Sequence, residues 1–125
     1  MVEFTSDIPS EILTLLLDIG RDLGIDPLGS TESEAYFLQL LRTAPDDPSA
    51  LPVYLRGAME RDFPIMETYP RWLQGAEWPF REGRPLCFVG QLEAAVKRDG
   101  CLRRIAFYIF WNPKTGESET IQQHD

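Results

Sequence analysis

With 125 residues, 43% of them hydrophobic and 11% aromatic, the chain has the length for one domain with a single core and too much apolar content for disorder. A formal net charge of −8 disfavours nucleic acid and anionic membrane as partners and makes a basic protein the complementary one. There is no apolar run of transmembrane length, and the start, with Glu3 and Asp7, lacks the basic leader of a secretory signal, so the expected compartment is cytoplasmic.

The charge is concentrated early. Up to Asp47 the chain carries ten acidic residues against two basic ones, Arg21 and Arg42, and from Pro48 onward the signs balance. Within that acidic part, Asp7 as a cap, Pro9 in the first turn and Glu11 near the start predict a helix over 7–23. Ile12, Leu16, Ile19 and Leu23 recur at helical spacing, Leu13, Leu15 and Leu17 widen the apolar face, and Gly24 ends it. Thr31-Glu32-Ser33-Glu34 reads as a capping box before Ala35, Phe37, Leu38, Leu41 and Ala44, which predicts a second helix of about twelve residues. Pro45-Asp46-Asp47-Pro48 breaks the pattern.

Residues 49–64 fit a third helix, with Leu51, Tyr54, Leu55, Ala58 and Met59 on one face and Ser49 as cap; Leu51–Leu55 as an edge strand is the alternative. Residues 65–75 read as irregular, held by Tyr69-Pro70 and anchored by Trp72 and Leu73. Trp78-Pro79 fixes an extended entry to a tight turn between Phe80 and Pro85, and Leu86–Val89 reads as a short buried strand with Gln91 at its end. Leu92–Lys97 reads as a short helix ending near Asp99-Gly100. Arg104–Trp111 is apolar on both alternating faces, with Ile105, Phe107, Ile109 and Trp111 on one and Ala106, Tyr108 and Phe110 on the other. That pattern predicts a central strand covered on both sides. Asn112–Gly116 has hairpin-loop chemistry, and Glu117–Gln123 returns as a polar edge strand that offers pairing with a second copy. The sum is one α+β domain over 1–125: an acidic helical part at 1–47, and a Trp-Pro motif and small antiparallel sheet over 65–125, ending in a C-terminal β-hairpin, with the helices packed on the sheet.

The spacing of Gly75, Trp78-Pro79, Gly83, Pro85-Leu86, Phe88 and Gln91, followed by the aromatic strand Phe107–Phe110, resembles a bacterial family of unknown function, often called YwqG-like. The resemblance covers residues 75–111 and implies no catalytic activity; the likeness of some relatives to antitoxin or immunity proteins implies a role in bacterial competition. The chain departs from the family in stopping after one hairpin and in placing two acidic helices in front of the motif.

Catalytic groups are scarce. His124 is the single histidine and lies next to the last residue, and Cys87 and Cys101 read as buried reduced thiols, with a disulfide or a reactive thiol as alternatives. No clustered His and Cys suggest a metal, no glycine-rich phosphate loop is present, and no cofactor is implied. The residues therefore point first to a non-enzymatic interaction protein, an immunity-type inhibitor whose acidic helices or Trp72 and Trp78 meet a basic protein. The alternative is a small enzyme or ligand-binding domain with a cleft beside Glu77, Glu82 and Gln91.

Overall fold

The structure, a computed structural model, describes residues 8–125. Three helices, α1 (Ser10–Leu23), α2 (Thr31–Arg42) and α3 (Leu51–Asp62), precede five strands, β1 (Phe80–Arg81), β2 (Arg84–Pro85), β3 (Cys87–Arg98), β4 (Cys101–Trp111) and β5 (Ser118–His124). β1 and β2 form a two-residue hairpin, and β3, β4 and β5 form an antiparallel sheet in that order. The expected α+β class, with helices on a small antiparallel sheet that closes in a C-terminal hairpin, is what the chain adopts.

Local chemistry accounts for each helix. α1 begins after Pro9, whose carbonyl accepts from the Leu13 N–H at 2.8 Å; Asp7, the expected cap, lies outside the described residues. Gly24 closes α1 at φ +70°, and a Cβ there would stand 2.7 Å from the Pro70 carbonyl oxygen, so both conformation and space demand glycine. The cap of α2 is Ser30, one residue before the expected box, and its Oγ accepts from the Ser33 N–H at 3.0 Å. For α3 the helical reading holds, with Pro52 in the first turn; Ser49 bonds back to Asp47 in a turn, and Ala50 is the capping position.

The long strand β3 corrects the sequence reading. Leu92–Lys97 is not a helix but the second half of a twelve-residue strand paired with β4 from Cys87↔Trp111 to Arg98↔Cys101. The turn that decides this is Asp99-Gly100, with φ of +52° and +80°, the pair of left-handed residues that a type I′ hairpin requires. β4 is central, as expected, but the described residues cover it on one side only. Ala106, Tyr108 and Phe110 are fully buried, whereas Ile105, Phe107 and Ile109 are half-buried and Trp111 is 40% exposed.

The covered side is the core. Leu16 and Leu23 from α1, Phe37 from α2 and Leu55 and Met59 from α3 meet Phe63, Trp78, Phe88, Tyr108 and Phe110 there. Its aromatic rings pack edge-on, Phe63 on Trp78 at 5.1 Å and Trp78 on Phe110 at 5.4 Å between centroids, the arrangement that ring quadrupoles favour. The start of β3 is flanked by the 64–66 segment, where the Phe88 N–H donates to the Pro64 carbonyl and the Met66 N–H to the Phe88 carbonyl, both at 2.9 Å.

Candidate functional site

The segment between Tyr69 and Glu77 has no regular structure, so its backbone polar groups need partners from elsewhere. Three inward-facing side chains, one per strand, supply them. Gln91 of β3 accepts from the Arg71 N–H at 2.9 Å and donates to the Arg71 carbonyl at 3.0 Å. The Tyr108 hydroxyl of β4 donates to that same carbonyl at 2.9 Å and accepts from the Leu73 N–H at 2.8 Å. Gln123 of β5 accepts from the Gln74 N–H at 2.9 Å and donates to the Gly75 carbonyl at 2.7 Å and to Glu77 Oε2 at 2.8 Å. The Trp72 ring lies over Tyr108 with centroids 4.3 Å apart, and its indole N–H donates to the Gly24 carbonyl at 2.7 Å, joining the loop to the end of α1.

This arrangement places the five residues singled out from the sequence. Gln91, expected at a strand end, has both ends of its amide on the loop backbone at Arg71. Trp72 and Trp78 are not a joint exposed anchor: Trp72 is half-buried, and Trp78 is buried with its indole N–H donating to the Leu86 carbonyl at 2.8 Å. Glu77 holds Gln123, whereas Glu82 sits in the β1–β2 turn and pairs with Lys114 at 2.7 Å, which keeps its carboxyl below the usual carboxylate range. Glu77 and Trp78 line one shallow cleft of about 280 Å³ with Asp26, Glu32, Arg81 and Glu119, and neither Glu82 nor Gln91 belongs to it. Two of its lining residues, Arg81 and Glu119, pair with each other. Gln123 is the residue the sequence reading missed; its place on a polar-looking edge strand hid it, although the alternation there puts Gln123 on the same face as Ile121.

Comparisons with protein-family models, with curated proteins and with solved structures find no match to this chain. Among the described residues no three His, Cys, Asp or Glu side chains are grouped to hold a metal ion, and no helix is long and apolar enough to cross a membrane. The two thiols are free, and Cys101 is exposed at the far end of the β3–β4 hairpin, contrary to the expected burial. Cys87 pairs with Trp111, ten residues along β4 from Cys101, a distance of about 34 Å at the strand rise, beyond any disulfide. Burial pushes the Cys87 thiol up, away from the thiolate a nucleophile requires.

The surface divides by sign. Residues 8–62 carry ten carboxylates and four arginines. Three of those arginines already serve neighbouring acids, Arg21 with Asp18, Arg56 with Asp22 and Glu60, and Arg61 with Asp62. Asp18 and Asp22 remain 62% and 64% exposed, and Asp46 and Asp47 are exposed in the loop before α3. The outward side of the sheet is the opposite case. Register puts Cys87, Leu92, Ala94, Val96 and Arg98 of β3 beside Arg103, Ile105, Phe107, Ile109 and Trp111 of β4, and then Ser118, Thr120, Gln122 and His124 of β5. No carboxylate stands on that side of the strands.

Proposed function

We propose that the protein acts in the cytoplasm as a non-enzymatic binding protein, presenting the acidic outer surface of its helices to a basic protein partner and blocking that partner stoichiometrically, as an immunity-type inhibitor does. The observation that carries this reading is the segregation of charge: exposed carboxylates gather on the helical side, with their arginines already engaged by neighbours. Such a field steers an oppositely charged protein into contact and needs no catalytic group. Glu77, Glu82 and Gln91 do not line one cleft, and Gln91, together with Tyr108 and Gln123, holds a loop. The likeness of the Trp-Pro motif to the YwqG-like family is compatible with this role and lends it no activity.

The test is capture of binding proteins from lysate with the tagged chain and with a variant carrying Asp18→Asn, Asp22→Asn and Asp46→Asn, each at low and moderate salt. A basic protein held in near one-to-one amount by the parent, released as salt rises and not held by the variant, is the expected result. Equal retention by parent and variant would sink the acidic-surface reading.

A further inference from the structure

The outward side of the sheet is unlike the rest of the surface. Leu92 is 63% exposed, Trp111 40% and Val96 39%, and Ile105, Phe107 and Ile109 lie between them outside the core cluster. A contiguous apolar patch of this kind, free of carboxylates in a chain of net charge −8, is an interaction surface by its physical chemistry. We propose that it is a two-fold interface between two copies of this chain, packed sheet face to sheet face with their β4 strands antiparallel about Phe107.

The order of residues along β4 argues for a second copy. The outward side chains read Arg103, Ile105, Phe107, Ile109, Trp111, a sequence symmetrical about Phe107 in its apolar members. A two-fold axis in the plane of the interface and perpendicular to the strands lays Phe107 on Phe107, Ile105 on Ile109, and Arg103 on Trp111. The flanking strand β3 follows the same operation: Leu92, opposite Phe107, meets its copy, and Ala94, opposite Ile105, meets Gly90, opposite Ile109. On β5, Gln122 meets Gln122 and Thr120 meets His124, with no carboxylate among them. The other in-plane axis, along the strands, stacks Arg103 on Arg103, so like-charge repulsion selects the antiparallel arrangement.

Shape agrees with this order. A hollow of about 520 Å³ opens on the same side between Val96, Cys101, Arg103, Ile105 and His124, with Asp99 of the turn also on its lining. The operation that places Arg103 opposite Trp111 brings the partly exposed indole of each copy to the hollow of the other, where the guanidinium and the ring face attract. Aligned packing turns the two strand directions by about 30°, which keeps β4 over β4 near Phe107. Arg103 to Trp111 spans about 27 Å, and three strands with their side chains about 15 Å, a footprint of roughly 400 Å² per copy. With the relief of the side chains, the buried total comes to about 1,000 Å², the lower edge of specific interfaces. The dimer should therefore be reversible, forming and dissociating within the micromolar range. Its formation leaves both acidic helical layers facing outward, so it is independent of what they bind.

The experiment is sedimentation velocity on the full chain from low to high micromolar concentration, beside Phe107→Glu and Trp111→Ala. Since both side chains point outward from the sheet, far-ultraviolet circular dichroism, and thermal midpoints at concentrations where the chain is monomeric, should stay close to the parent, which separates lost association from lost folding. The parent should convert from monomer to dimer with concentration, Phe107→Glu should weaken association roughly a hundredfold or more, and Trp111→Ala about tenfold or more. A parent that stays monomeric at every concentration overturns the proposal, as does a dimer indifferent to Phe107→Glu. Orientation is read with a short bis-maleimide, because packed sheets stand about 10 Å apart, beyond disulfide reach. In a Cys87→Ser, Cys101→Ser background, Ile105→Cys mixed with Ile109→Cys should crosslink efficiently and Ile105→Cys alone poorly. Crosslinking of Ile105→Cys to itself as fast as in the mixture overturns the antiparallel arrangement.

Discussion

The two sides of the three-stranded sheet differ far more in fate than in composition. Inward, β4 presents Ala106, Tyr108 and Phe110; outward, it presents Ile105, Phe107, Ile109 and Trp111, which on transfer energies alone is the more apolar set. What separates them is delivery. All three helices and the Tyr69–Glu77 loop arrive on one side, and the inward strand residues include a polar set, Gln91, Tyr108 and Gln123, matched to that loop's backbone groups. Among the described residues, a buried face in this fold is recognised by satisfied polar side chains among aromatics, and an open one by the absence of both covering elements and carboxylates.

The comparison is broken most severely by truncating the inward face. Phe110→Ala removes a fully buried ring that touches Trp72, Trp78 and Phe88, and should cost about 3–5 kcal/mol in urea unfolding. Ile109→Ala, one residue along on the outward side, should cost about 1 kcal/mol or less at concentrations where the chain is monomeric. If the two substitutions cost the same, the faces are not what the burial pattern makes them. Next in size is Gln123→Leu, which strands the Gln74 N–H and the Gly75 carbonyl and deprives Glu77 of its donor. A loss of about 2–3 kcal/mol is expected, against no measurable loss for Gln122→Leu on the solvent side. Trp72→Phe keeps a ring over Tyr108 but removes the donor to the Gly24 carbonyl, and should cost about 1–2 kcal/mol, with faster amide exchange at the loop residues before it is seen in α1.

Much of this architecture was legible in the chain. The leucine and isoleucine spacing located α1, the shared face of Leu51, Tyr54, Leu55, Ala58 and Met59 pointed to helix for α3, and the Asn112–Gly116 loop announced the last hairpin. Local rules sufficed there because each signal lies within a few residues of what it controls. The failures share a different cause. Leu92–Lys97 has too few residues for periodicity to separate helix from strand, and only the Asp99-Gly100 turn, read together with its flanking segments, reveals a long hairpin. An apolar pattern on both faces of β4 does not say which face the helices reach, so the open side was invisible. The Trp-Pro motif stood out for conformational reasons, and its residues indeed hold the fold: Trp78 bonds Leu86, and the Leu86 N–H bonds the Pro79 carbonyl at 2.9 Å. Gln123 was missed because its three partners lie 46 to 49 residues away.

The smallest expected effect lies at the rim of the covered side, where polar contacts take over from packing. Tyr36, on α2, donates its hydroxyl proton to Asp62 Oδ2 at 2.5 Å while its ring packs edge-on against Phe63 at 5.3 Å. Asp62 also receives Arg61 at 2.8 Å, and the Arg61 hydrogen bond, with that of Tyr36 after it, holds the carboxyl below its ordinary value of 3.8. A carboxyl depressed in the folded state contributes stability that is fully present above its unfolded value and is lost as pH falls through the folded one. Asp62→Asn should therefore narrow the stability difference from the parent below about pH 4 and show its full deficit at neutral pH. That deficit should be under about 1 kcal/mol, because Arg61 is largely solvated. Urea midpoints measured at several pH values decide it. A parent-to-variant difference that does not change between neutral and acid pH would mean that the Tyr36 contact is held by ring packing alone, and that the covered side owes nothing to charge even at its edge.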